Sequence, residues 1–232
     1  MAKNKHKKFA DILSFSNVYE NYDPKNPKLI KNRDQEVALK GKWSETHFNN
    51  NNPLTLELAC GRGEYTVALA KAFPEKNFIG VDVKGARIWK GAKQAIDQSL
   101  GNAAFLRTRI EQLPLFIGEN EVNEIWITFP DPFLRESKEN KRLTSSAFLS
   151  RYKPLLKKDA IMHLKTDDDT LYQFTLETLK DFSGARILYH SNDIYLGDLP
   201  YPELQYKTYY EHMHLKAGKS IKYIRFSINN EK

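Results

Sequence analysis

Three short segments of this chain end apolar runs in carboxylates or glycines. They are Leu56-Glu57-Leu58-Ala59-Cys60-Gly61-Arg62-Gly63, then Phe78-Ile79-Gly80-Val81-Asp82, then Ile125-Trp126-Ile127-Thr128-Phe129-Pro130-Asp131-Pro132. An apolar run of four to seven residues reads as a buried strand. In a parallel α/β sheet such strand ends share the edge where ligands bind. Glycines just after a strand let the backbone approach a ligand, and a helix N-terminus follows. An acid ending the next strand, Asp82, can take both hydroxyls of a ribose. The pattern predicts a nucleoside-type cofactor, with Asp131 facing whatever reacts beside it.

Glu57 narrows the choice of cofactor. Gly61-x-Gly63 alone is common to many dinucleotide binders, but the third glycine of that fingerprint should fall at position 66, which is Thr66. An acid at the tip of the first strand repels a pyrophosphate. It suits S-adenosylmethionine, which carries an amine and a sulfonium and no phosphate. The plainer roles stay open at this stage: Glu57 could hold the loop, and Asp82 could cap the next helix. Asp131 sits between two prolines, which fix φ and remove donors, so its turn is stiff. Arg135, Lys138, Lys141 and Arg142 follow it among acids; the run fits phosphate contact or a solvated loop. Cys60 lies in the glycine turn and is a poor nucleophile candidate, and His212-x-His214 lacks the company of a metal site. An NAD-dependent oxidoreductase explains neither Glu57 nor Phe129-Pro130-Asp131-Pro132, and a non-enzymatic RNA binder has no need of three acids on one sheet edge.

These residues need a frame. Strands are expected at 54–58, 78–83, 103–106, 124–128, 160–165, 185–189 and 221–228. A helical face is marked by Tyr65, Ala68, Leu69, Ala72 and Phe73, with Pro74 as its stop. A second is marked by Ile88, Ala92, Ala95 and Ile96, with Gly101 closing it, and a third at 170–179 is capped by Asp168 or Asp169. Alternating strands and helices predict a doubly wound α/β fold, a mostly parallel seven-stranded sheet with helices on both faces and an antiparallel last strand. At 232 residues, 41% hydrophobic and 12% aromatic, the chain can bury one large core. A net charge of +7 favours a polyanionic partner such as nucleic acid. One cysteine leaves no internal disulfide. No apolar run reaches the roughly 18 residues of a membrane span, and none follows the basic start as a secretory signal would have it. The expectation is a cytoplasmic protein. Residues 1–40, polar and lysine-rich at the start, read as a basic extension: a disordered tail or an arm that orders on RNA. Residues 41–232 read as the catalytic domain.

The order of motifs resembles one family. Leu56-Glu57-Leu58 with Gly61-x-Gly63, Val81-Asp82-Val83, Phe129-Pro130-Asp131-Pro132, Asn140-Lys141-Arg142, His163-Leu164-Lys165-Thr166-Asp167 and Thr208-Tyr209-Tyr210-Glu211 occur as in the bacterial tRNA (guanine-N7-)-methyltransferases. The likeness covers roughly residues 50–228. It implies a class I, S-adenosylmethionine-dependent fold, methylation of N7 of a variable-loop guanosine in tRNA, and no metal. It further implies that Glu57, Gly61, Gly63, Asp82 and Asp131 line the cofactor pocket, with Asp131 also catalytic. Glu111 or backbone groups after the third strand would meet the adenine edge. Arg135, Asp167, Thr208, Tyr209, Tyr210 and Glu211 would touch the tRNA guanosine. Ala59 stands where the family has a glycine, Phe133 where it has a tryptophan and Arg135 where it has a lysine. A methyltransferase acting on another RNA, a protein or a small molecule is the rival, since its core would be the same.

Overall fold

In a computed structural model that describes residues 2–228, the chain divides into two compact units, Met1–Gly118 and Glu119–Lys232. The first unit carries β1 (Val18–Glu20), β2 (Ile30–Lys31), β3 (Gln35–Glu36), β4 (Leu54–Leu58), β5 (Asn77–Asp82) and β6 (Ala103–Arg107). Its strand order is β3-β2-β1-β6-β5-β4. β4, β5, β6 and β1 run parallel, while β2 and β3 add an antiparallel ribbon at the edge. Every residue of β4 and β5 is buried, as expected of parallel strands covered on both faces. Helices α1 (Ala2–Ile12), α2 (Glu64–Ala72), α3 (Gly85–Asp97) and α4 (Leu113–Phe116) complete this unit.

The second unit orders its strands β7-β8-β10-β9: β7 (Val122–Thr128), β8 (Leu156–Thr166), β9 (Arg186–Ser191) and β10 (Lys222–Ser227). β7 and β8 are parallel, and β10 is antiparallel to both β8 and β9, as the sequence predicts for the last strand. Helices α5 (Ser146–Tyr152), α6 (Asp169–Asp181) and α7 (Tyr209–Lys216) belong here. Asp168 caps α6, its carboxylate accepting the Leu171 N–H at 2.7 Å.

The seven expected strands are β4 to β10; the three short strands before them were not foreseen. Residues expected as an extension carry α1 and β1 to β3 within the first unit, and their apolar side chains are the reason. Ile12, Val18, Tyr19, Leu29 and Leu39 are all buried. Asp11 accepts from the Trp89 indole N–H of α3 at 2.9 Å, and Arg107 donates to Glu20 at 2.8 Å. Strands of two or three residues are too short to show a period, so the sequence conceals them. The side chains of residues 2–6, with most of the basic cluster, lie outside the described residues.

A second difference lies at the end of α3. Gly101 does not close it. Ser99 takes the left-handed conformation at φ 55°, and the Leu100 N–H reaches back to the Ala95 carbonyl at 2.9 Å. This is the six-to-one bond of a Schellman motif. Ile96, expected on the buried face, is exposed.

Burial near β1 gives the first unit a pH dependence. His47 shares a hydrogen bond at Nδ1 with the Tyr19 hydroxyl at 2.7 Å, and burial, reinforced by the Lys31 charge, lowers its pKa from 6.5 to about 4. A folded state that resists protonation is fully stable above the unfolded pKa and loses stability as pH falls below 6.5 toward 4. Denaturant titrations at pH 7 and pH 4 should show wild type losing about 3 kcal/mol more than His47→Gln over that interval.

Candidate functional site

In the first unit the turn after β4 is built from alternating left-handed residues. Ala59, Gly61 and Gly63 have φ of 57°, 56° and 66°. At Gly61 a side chain would meet little, its nearest neighbour being the Ala59 carbonyl at 3.9 Å, so this backbone faces open space. Gly63 differs: an added Cβ would lie 2.4 Å from the Phe105 ring, so close packing as well as φ demands glycine there. Ala59 adopts the same left-handed region with a Cβ, at a cost of roughly 1–2 kcal/mol.

Two buried carboxylates hold this turn. Asp82 Oδ2 accepts the Gly61 N–H at 2.9 Å, and its Oδ1 accepts the Lys84 N–H at 2.8 Å. It therefore also serves the entry to α3. Glu57 Oε2 accepts both the Thr66 N–H, at 2.8 Å, and the Thr66 hydroxyl, at 2.5 Å. Thr66 takes the place of the absent third glycine and clamps Glu57. The clamp fits because Gly80, paired with Glu57 across β4 and β5, has no side chain; a Cβ there would sit 2.8 Å from the Thr66 hydroxyl. Cys60 is buried between these acids, and burial followed by the Glu57 and Asp82 charges pushes its thiol pKa well up. It is no nucleophile. Glu111 stands exposed on the turn Ile110–Gln112, two residues beyond Arg109. Thr108, just before, donates its N–H to the Asp82 carbonyl at 3.2 Å.

In the second unit Asp131 is exposed on the turn after β7, its Oδ1 accepting the Phe133 N–H at 3.0 Å. Phe129 and Phe133, on either side, have φ of 48° and 43°. Bulky residues in this region are strained and persist only where neighbours hold them. The neighbours are identifiable. The Phe129 N–H donates to the Lys165 carbonyl at 2.8 Å. Arg142 donates to the Pro132 carbonyl at 3.0 Å, the Phe133 carbonyl at 3.2 Å and Glu139 at 2.9 Å, with its guanidinium over the Phe174 ring. It is 1% exposed. Expected with its neighbours either to contact phosphate or to lie on a solvated loop, Arg142 is buried and clamps the Asp131 turn. Arg135, Lys138 and Lys141 remain exposed on that segment.

Asp167 follows β8 and faces Lys219 and His214, whose Nδ1 lies 3.2 Å away. His214 also stacks near the Phe129 ring, 5.7 Å between centroids. Thr208 caps α7 in a capping box with Glu211. Tyr209 and Tyr210 stand exposed on the first turn of that helix. Glu211 is wholly buried: it accepts from Lys165 Nζ at 2.8 Å and from the Tyr195 hydroxyl at 2.6 Å. The sequence marked Glu211 but missed Lys165 and Tyr195, although Lys165 lies inside one of the quoted motifs. Among the described residues no group of histidine, cysteine and acidic side chains could hold a metal ion, and no helix is long and apolar enough to cross a membrane.

Known proteins fit this geometry. A family model described as "Putative methyltransferase" matches residues 51–224. The chain is 48% identical over 228 residues to a tRNA (guanine-N(7)-)-methyltransferase of Christiangramia forsetii, covering 98% of this chain and 99% of that one. The chain belongs to this methyltransferase family. A relative of the same description from Bacteroides fragilis is 45% identical, covering 100% of this chain and 88% of its own. Among solved structures, the 16S rRNA methyltransferase KamB superposes with a TM-score of 0.61 at 15% identity, covering 84% of this chain and 97% of that one. That likeness concerns the fold, which is the doubly wound α/β architecture of class I methyltransferases.

Arg142→Lys keeps the charge but loses the planar fork that serves two carbonyls and a carboxylate. Its unfolding free energy should drop by about 2 kcal/mol in denaturant melts, one buried charged hydrogen bond's worth. An unchanged midpoint would show that the clamp contributes nothing.

Proposed function

We propose that this chain transfers a methyl group from S-adenosylmethionine to N7 of a guanosine in the variable loop of tRNA, giving 7-methylguanosine. The observation that carries the reading is the turn after β4. Its backbone faces open space at Gly61, buried carboxylates stand at Glu57 and Asp82, and near-full-length relatives are tRNA (guanine-N(7)-)-methyltransferases. The fit to this cofactor is chemical. Glu57 and Asp82 would repel a pyrophosphate, while an amine and a ribose diol are donors that carboxylates accept. Glu57 would serve the amine, Asp82 the ribose, the Gly61 and Gly63 backbone the methionine end, and Glu111 the adenine edge. When bound, S-adenosylmethionine supplies an electrophilic methyl on a sulfonium.

Guanine N7 carries a free lone pair, so no residue need remove a proton before attack. The residues of this chain have only to align N7 with the sulfonium methyl, the C–S electron pair staying on sulfur as the methyl passes to N7. Alignment then supplies most of the catalysis, roughly 7–11 kcal/mol in well-oriented reactions. Positive charge passes to the purine, and the Asp131 carboxylate would stabilise it. Asp167 would accept from guanine N1–H and the exocyclic amine. Thr208, Tyr209 and Tyr210 would contact the nucleoside, and Arg135 a phosphate. No metal is required by this chemistry, and the working place of the protein is the cytoplasm, where tRNA is processed.

Incubation with S-adenosylmethionine and unmodified tRNA, followed by nucleoside analysis, should yield 7-methylguanosine; a different product or none would overturn the reading. Asp82→Ala should weaken S-adenosylmethionine binding by about 1–3 kcal/mol in calorimetry, with no NAD binding in either protein. Asp131→Asn retains the Oδ1 acceptor for the Phe133 N–H but removes the charge. Single-turnover methylation should slow by about 10²-fold or more with tRNA affinity little changed. Near-wild-type turnover would remove Asp131 from the chemistry.

A further inference from the structure

Resemblance assigns Glu211 to the guanosine, but the structure leaves its carboxylate no room for one. Glu211 and Lys165 are each 0% exposed. The Lys165 ammonium reaches both Glu211 oxygens at 2.8 Å and the Tyr206 carbonyl at 3.3 Å. The Tyr195 hydroxyl donates to Oε1 at 2.6 Å, and the Thr208 N–H approaches Oε2 at 3.4 Å. A desolvated ion pair is weak evidence for net stability, because removing two charges from water costs several kcal/mol per ion. An apolar pair would fill the space as well. What the ion pair adds is a fixed geometry between two elements 46 residues apart in sequence.

Both elements carry residues proposed above to act on the tRNA guanosine. Lys165 is the second-last residue of β8, pairs in register with Thr128 at the end of β7, and accepts the Phe129 N–H on its carbonyl. Asp167 follows two residues later. Glu211 lies in the first turn of α7, beside the exposed Tyr209 and Tyr210. The last turn of the same helix brings His214 to Asp167. Helix α7 is therefore fastened at both ends to the end of β8, the strand that pairs with the end of β7 from which the Asp131 turn departs.

We infer that Lys165 and Glu211 are positioning residues: the buried pair fixes the first turn of α7 against the ends of β7 and β8, and Glu211 does not itself touch the substrate. The inference rests on the methyl-transfer reading for its kinetic consequence, and on hydrogen exchange for its structural one.

The test is a double-replacement cycle of Lys165→Met, Glu211→Gln and the combined variant. In the combined variant neither side chain carries a charge, so it buries no lone ion and should fold even where a single variant does not. Each foldable single variant should lose about 10- to 100-fold in kcat on tRNA, with KM for tRNA and Kd for S-adenosylmethionine within about twofold of wild type. The combined variant should lose no more than the worse single one, because the two side chains act as a unit. Amide exchange in residues 209–216 and 129–133 should quicken in all variants at temperatures well below their melting points. Multiplying losses, with KM for tRNA rising on Glu211→Gln alone, would mean that Glu211 binds the nucleoside directly and would overturn the inference. So would a lowered melting point with kcat and exchange unchanged, which is the mark of a purely structural pair. If wild type itself fails to methylate tRNA, the reading of the previous subsection falls, and the exchange data alone decide on the brace.

Discussion

Backbone N–H groups accepted by buried carboxylates are the constraint on which the cofactor half of this protein depends. A turn with three left-handed residues in five cannot satisfy itself by regular hydrogen bonding, and each non-glycine in that region is costly. Asp82 takes the Gly61 and Lys84 N–H groups, and Glu57 takes Thr66. These bonds have charged acceptors and are stronger than neutral ones, which offsets the conformational strain. At Asp82 they also leave acceptor capacity, since a carboxylate has about four lone-pair sites and each oxygen accepts one N–H. Asp82 can therefore hold the turn and receive a ligand's donors at the same time.

Most of this frame was legible in the sequence because parallel strands announce themselves. β4 to β7 are short apolar runs, three of them followed within a few residues by an acid or a glycine, and α2, α3 and α6 keep a helical period. The antiparallel last strand is legible instead by its alternation of polar and apolar residues. The N-terminal strands were hidden because two or three residues give no alternation to read. Their burial comes from isolated apolar residues such as Val18 and Leu29, spaced by polar ones, and from Arg107 pairing with Glu20 across 87 positions. Long-range pairs of this kind leave no local trace.

The site was half legible for a related reason. A motif gives residue types but not which way a charge faces. Arg142 sits in a segment rich in exposed charges and Glu211 beside exposed tyrosines, and each is buried against partners outside its motif or on carbonyls that sequence does not mark. Glu57 shows the opposite case. Its two readings, ligand acceptor and loop holder, were alternatives on paper, and the structure shows the second at work, one oxygen accepting both Thr66 donors.

The second unit solves with cations the problem that the first solves with anions. Its turn after β7 places Phe129 and Phe133 at positive φ around Asp131, and the Pro132 and Phe133 carbonyls there accept from a buried cation. Acceptors need donors: Arg142 donates to the Pro132 and Phe133 carbonyls of the turn, and on the adjoining strand Lys165 donates to Glu211 and the Tyr206 carbonyl. A buried cation must be neutralised, so each brings an acid, Glu139 or Glu211, whose place is then fixed as well. Replacing either acid would leave a buried cation without its counter-charge rather than simply remove a surface contact. Acids that look alike in the sequence thus divide by what they face. Asp131, exposed and accepting the Phe133 N–H, can meet a purine that is gaining charge. Glu211, with the Lys165, Tyr195 and Thr208 donors converging on it, can only hold others in place.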